Sequence, residues 1–149
     1  MPETEIDYRA EAVTKTISNL VVSENGVQAV DESWIPAAGI CFFIMRLSKT
    51  IVVRTEEDFF IGRDDEEFIL KPLVNLAEFD GFAMGVSRRH ALICPVKHGY
   101  EVIDLISANG TWLGGRRLAP NKPYPLSPGA QLRVGREQLL VIYRSAPAS

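Results

Sequence analysis

Between Ile40 and Tyr143 the apolar residues come in short runs, separated by turn residues that are chiefly Gly, Pro, Asn and Asp. The runs are Ile40 to Leu47, Thr50 to Arg54, Phe59 to Ile61 and Phe68 to Leu70, then His90 to Pro95 and Tyr100 to Leu105. Thr111 to Leu113, Arg116 to Leu118, Tyr124 to Leu126, Ala130 to Val134 and Leu139 to Tyr143 complete the series. None leaves room for a helix of useful length, and residues 71 to 86 read as the one longer connection. Many short strands at short intervals predict an all-β sandwich of two antiparallel sheets. Such a sandwich gathers its loops at two ends, so residues far apart in sequence converge on one rim.

Ahead of this series the pattern is ambiguous. Ile6, Ala10, Val13, Ile17, Leu20 and Val21 recur at helical spacing, with Thr4 and Asp7 placed like a capping box. The β-branched Thr14, Thr16 and Ile17 and the turn signal Glu24-Asn25-Gly26 fit a hairpin instead. Ile35 to Gly39 reads as a linker, and Trp34 just before it is placed to dock this segment on the sandwich. The expected organisation is an N-terminal extension and linker over 1–37, one domain over 38–144 and a short tail over 145–149. A length of 149 residues with 46% hydrophobic content suits one such domain.

Composition narrows the function. A formal net charge of -3 argues against a nucleic-acid reader, so charge must act locally. No apolar run approaches the roughly 18 to 20 residues of a membrane span, and the first residues lack the form of a signal peptide. A soluble, cytoplasmic protein is expected. Cys41 and Cys94 lie in apolar segments without Cys-x-x-Cys spacing and read as reduced thiols, not metal ligands, although a disulfide on neighbouring strands is the alternative. Asp64-Asp65-Glu66-Glu67 lacks the spacing of a calcium loop and reads as a solvated turn. No cofactor or metal is expected.

Three strand ends carry donors suited to an anion. Phe59-Phe60-Ile61 ends in Gly62-Arg63, Ser87-Arg88-Arg89-His90 opens a strand, and Asn109-Gly110 turns into Thr111-Trp112-Leu113. A guanidinium with oriented neutral donors is what a phosphate-reading rim requires. The pattern Gly62-Arg63, Ser87-x-x-His90, Asn109-Gly110, Arg117-Leu118 and Gly129 to Gly135 resembles the forkhead-associated (FHA) domain, a phosphothreonine-recognition module, over roughly residues 38 to 144.

The resemblance implies that Arg63 is the principal phosphate ligand, that Ser87 donates its hydroxyl and that Arg88 adds a contact. It implies that Asn109 holds the peptide backbone, with Gly62, His90, Gly110 and Thr111 supporting the loops. Arg63 could otherwise pair with Asp64 or Asp65, and Trp112 reads as a core residue. Two departures stand out. Ala108 replaces the usual hydroxyl residue before Asn109, and Gly114 stands where a second asparagine is common, which implies looser recognition. Ser87 and His90 share one short loop without a Gly-x-Ser-x-Gly elbow, so an enzyme is not expected.

The function implied is a phosphothreonine-dependent interaction module in Ser/Thr kinase signalling, similar to small bacterial members of the family. Its partners would be a Ser/Thr kinase or the kinase's phosphorylated substrates. The alternative is a phosphate-independent scaffold or oligomerisation module using another face of the sandwich. Thr4, with Asp7 three positions on, is a candidate self-ligand, since some small bacterial relatives are closed by their own phosphorylated tails.

Overall fold

The computed structural model describes residues 4–22, 35–64 and 71–144. In chain order the elements are β1 (Glu5–Asp7), α1 (Glu11–Val22), β2 (Ile40–Ile44), β3 (Lys49–Arg54), β4 (Phe59–Gly62) and β5 (Leu73–Asn75). Then come β6 (Arg89–Val96), β7 (Gly99–Asp104), β8 (Thr111–Leu113), β9 (Arg116–Arg117), β10 (Pro123–Leu126), β11 (Gln131–Val134) and β12 (Glu137–Ile142). They form a seven-stranded sheet in the order β1-β3-β2-β12-β11-β8-β9 and a five-stranded sheet in the order β10-β7-β6-β4-β5. This is the expected sandwich, with one difference. β5 pairs parallel to β4, while every other pairing among the described residues is antiparallel.

Two-residue alternation builds the core between the sheets. Ile40, Phe42 and Ile44 of β2 face Phe59 and Ile61 of β4, Ala91 and Ile93 of β6 and Val102 of β7 within one apolar cluster. Phe42 and Phe59 meet edge to face at 6.1 Å. The intervening Cys41, Phe43 and Val52 are buried too, and α1 packs against β3, with Ile17 fully buried and Thr14 Oγ1 accepting the Thr50 amide. Burial pushes the Cys41 thiol up to about 12. Cys94 sits on the five-stranded sheet, so the two cysteines lie on different sheets and both are free.

The N-terminal segment combines strand and helix. Ile6 pairs opposite Val53, and only from Glu11 does the helical spacing take hold. The capping box does not form: Thr4 Oγ1 bonds Thr55 and Glu57, and Asp7 accepts from the Arg9 amide at 2.8 Å. A strand at the open edge of β3 satisfies backbone groups that a longer helix would have left unpaired. The connection over 71–86 is likewise more ordered than its turn residues suggest. Val74, Leu76 and Phe79 drop into the core, which makes β5 and a 3-10 turn at Ala77–Phe79. The hairpin alternative at Glu24 to Gly26, Trp34, and the run Phe68 to Leu70 lie outside the described residues.

The feature that aims the functional rim is a register shift at the end of β4. Between Ile61 and Gly62 the pairing with β6 slips, and the Arg63 amide bonds the Arg88 carbonyl at 2.9 Å. Gly62 lies so close to β6 that a Cβ there would fall 1.9 Å from the Arg88 carbonyl oxygen. Gly62→Ala should therefore cost about 3 kcal/mol or more, because the obstacle is backbone and cannot swing away. Chemical denaturation checks this, and an unchanged midpoint would contradict the close approach.

Candidate functional site

Arg63, Ser87 and Asn109 meet around the short segment Gly85-Val86-Ser87. Arg63 Nε donates to the Val86 carbonyl at 2.6 Å, and Asn109 Nδ2 donates to the neighbouring Gly85 carbonyl at 3.0 Å. Ser87 Oγ accepts the Ala108 amide at 3.1 Å. Two loops distant in sequence, those of Arg63 and Asn109, are thus fastened to the three consecutive residues of a third. The Arg63 guanidinium also lies 5.0 Å over the ring of Phe82, which is 77% exposed. It forms no ion pair with Asp64 or with any other described carboxylate. Its remaining N–H groups are held near the surface by an arm that packs on Gly81.

His90 lies beneath this rim, fully buried. Its Nδ1 accepts the Ser87 amide at 3.0 Å, which requires the proton on Nε2, and Nε2 donates to the Gly110 carbonyl at 2.7 Å. Burial pushes the imidazole pKa below its ordinary 6.5, against the opposing pulls of the Gly110 carbonyl and the Asp104 carboxylate. Both ring nitrogens are engaged, and neither meets the Ser87 hydroxyl. The pair therefore lacks the geometry of a nucleophile and its base.

The Asn109 loop is held by a second buried group. Asp104, 3% exposed, accepts Ser107 Oγ at 2.5 Å and Thr111 Oγ1 at 2.7 Å. The Gly110 carbonyl takes a further bond from the Gly135 amide at 3.0 Å, which links the β8 entry to the β11–β12 turn. That turn grips the loop before Ser87: the Arg136 amide bonds the Met84 carbonyl at 2.8 Å and its guanidinium donates to Ala83. Deeper still, Arg46 is held by buried Glu137 at 3.0 Å and reaches the Phe79 carbonyl and Asp80.

Of the residues expected at the site, Gly62, Arg63, Ser87, His90, Asn109, Gly110 and Thr111 lie together at this end of the sandwich. Arg88 is exposed beside them, with its carbonyl given to Arg63. Thr4 is elsewhere: its bonds to Thr55 and Glu57 place it at the other end of β4. Trp112 is not a core residue. Alternation turns Thr111 and Leu113 inward and leaves the indole outside, between Arg117 and Arg133. Arg46, Arg136 and Glu137 were not foreseeable as site supports, because their partners are backbone carbonyls or residues far along the chain, and these carry no motif; Asp104 was missed although Ser107 and Thr111 lie only three and seven residues on.

Residues 59–135, more than half of the 149-residue chain, match the family model of the FHA domain, and the protein belongs to that family. A homolog of the protein phosphatase 1 regulatory inhibitor subunit PPP1R8 from Arabidopsis thaliana is 40% identical over 60 residues. That match covers 40% of this chain and 16% of the relative. Among solved structures, the FHA domain of an Arabidopsis thaliana hypothetical protein superposes with a TM-score of 0.56 at 19% identity, over 83% of this chain and 99% of that one. A structure from a structural and functional study of phosphothreonine-dependent FHA domain interactions gives 0.55 at 22% identity, over 72% and 98%. The MEK1 FHA domain in complex with a phosphothreonine peptide of HOP1 gives 0.51 at 22% identity, over 72% and 98%. Matches come from Arabidopsis thaliana as well as from Chlamydia trachomatis, so the likeness does not single out a bacterial source. Among the described residues no helix is long and apolar enough to cross a membrane.

The buried, neutral His90 makes stability depend on pH in a definite direction. Below its ordinary pKa of 6.5 the unfolded chain binds a proton there that the folded chain resists. The contribution is complete above that value and is lost as pH falls through it. The melting temperature should drop from about pH 7 to about pH 5.5, and His90→Asn should flatten that slope while lowering stability at both ends. A wild-type melting temperature indifferent to pH across this window would contradict the assignment.

Proposed function

We propose that this protein is a phosphothreonine-dependent interaction module. It captures a phosphorylated segment of a partner at the rim of Arg63, Ser87, Arg88 and Asn109, and it serves Ser/Thr kinase signalling in the cytoplasm. The observation that carries this reading is the Arg63 guanidinium, fixed through Nε to Val86 and without a described carboxylate, next to Ser87 and Asn109. Ser87 Oγ accepts from Ala108, which leaves the hydroxyl proton to donate to a phosphate oxygen. Asn109 uses one N–H on Gly85, which leaves its carbonyl oxygen and second N–H for a peptide backbone. The MEK1 FHA domain, bound to a phosphothreonine peptide, is a structural neighbour that supports the same use of the fold. The reading is of binding without turnover, in keeping with a His90 that braces loops.

Arg63→Ala should weaken phosphopeptide binding by more than about tenfold without unfolding the protein, since charge-assisted bonds contribute about 1.5 to 3 kcal/mol each. Calorimetric titration with a phosphothreonine peptide and its unphosphorylated twin checks this. Binding that survives dephosphorylation would favour a phosphate-independent scaffold instead. Phosphothreonine should also be preferred to phosphoserine, by about fivefold, because one methyl in a fitted site is worth about 1 kcal/mol at the low end. Matched peptides with equal affinities would remove that part of the proposal.

A further inference from the structure

Asn109 is flanked by two guanidinium groups that the phosphate site does not use. On one side, a Cβ added to Gly85 would lie 2.8 Å from Asn109 Nδ2 and 3.4 Å from Arg136 Nη1, so both side chains end at the same patch of backbone. On the other side, a Cβ on Gly110 would lie 2.9 Å from Arg117 Nε and 3.1 Å from its Cζ. Both arginines are exposed, and among the described residues neither has a carboxylate within ion-pair range.

Each is held in place. Arg136 donates to the Ala83 carbonyl. Arg117 lies 5.6 Å over the Trp112 ring, and Arg133 packs on the same indole at 4.2 Å from the opposite neighbouring strand. A guanidinium resting on an aromatic face keeps its N–H edge free for an anion and loses little freedom when it finds one. The two acidic groups closest in sequence are already committed: Asp104 to Ser107 and Thr111, and Glu137 to Arg46. A chain of net charge -3 thus presents uncompensated cations beside its peptide site.

The charge of a phosphothreonine, about -1.5 to -2 at neutral pH, is matched by Arg63 and Arg88, which leaves Arg117 and Arg136 without a counterpart. The carbonyls that hold Arg63 and Asn109 belong to adjacent residues, Val86 and Gly85. An extended peptide advancing about 3.3 Å per residue would therefore reach the second pair of arginines within about four residues of the phosphothreonine.

We propose that Arg117 and Arg136 form an acidic-residue subsite, so that the preferred ligand is a phosphopeptide with Asp, Glu or a second phosphorylated residue where it crosses Asn109. This rests on the phosphopeptide reading above and adds the class of sequence that the site selects.

The test titrates the full chain with four labelled peptides: a phosphothreonine peptide flanked by acidic residues, its twin with Gln and Asn at those positions, and the unphosphorylated form of each. Fluorescence anisotropy at low and high NaCl reads the affinities. The acidic phosphopeptide should bind about three- to tenfold more tightly than the neutral one, and the gain should shrink at high salt. Arg117→Gln should cut the gain by at least about half and change binding of the neutral phosphopeptide by less than about twofold, whereas Arg136→Gln, which also releases the Ala83 carbonyl, should cut the gain and weaken both phosphopeptides. The double variant should abolish the gain, and Arg117→Gln alone keeps the test decisive if the double variant folds poorly. Equal affinities for the two phosphopeptides, or a gain that persists in the variants, would overturn the subsite and leave the phosphothreonine reading standing. An acidic peptide that binds equally well without phosphate would also overturn it, as general attraction to negative charge. Failure of both phosphopeptides to bind would remove the phosphothreonine reading and the subsite with it.

Discussion

The His90 imidazole accepts the Ser87 amide at one nitrogen and donates to the Gly110 carbonyl at the other, with no exposure to water. One ring in one tautomer thereby ties the loop that enters β6 to the loop that enters β8. Everything at the rim inherits that tie. Ser87 could not meet the Ala108 amide, nor Asn109 the Gly85 carbonyl, if the two loops moved independently. The low pKa is the consequence of burying this link where a second proton would have to displace the Ser87 amide.

Around this link the site is made mostly of side chains gripping backbone carbonyls: Arg63 on Val86, Asn109 on Gly85, Arg136 on Ala83 and Arg46 on Phe79. Cations and amides thus order the irregular segment over 79–87 without a helix or a long strand. A binding surface fixed in advance loses less conformational entropy when a peptide arrives, which leaves more of the contact energy for affinity. Glycine makes the geometry possible at Gly62, where β4 and β6 approach too closely for any side chain.

Much of this was legible in the sequence, and the boundary follows physical lines. The sandwich could be read because alternation within each strand and turn chemistry between strands are local signals. Arg63, Ser87 and Asn109 could be picked out because the spacing of their loops resembles a known family. β5 could not, since the three residues Leu73–Asn75 are too few to show alternation, and burial of Val74 decides it. β1 lay in a segment ambiguous between helix and hairpin, because its place opposite Val52, Val53 and Arg54 is a long-range pairing. Arg117 stood out in the sequence only as part of the Arg117-Leu118 pair of the family pattern, and nothing in the sequence marked Arg136. Only the fold brings one onto Trp112 and the other beside Gly85.

The central claim is that loops gathered by His90 form the ligand-binding surface. Backbone amide NMR of the isotopically labelled chain, titrated with a phosphothreonine peptide, tests it most directly. The account predicts that the largest shift changes fall on residues 62–63, 85–90 and 107–111 and that the unphosphorylated peptide leaves them in place. Changes concentrated instead around Val96, Tyr100 and Tyr143 at the opposite end of the sandwich, or identical changes with both peptides, would contradict it.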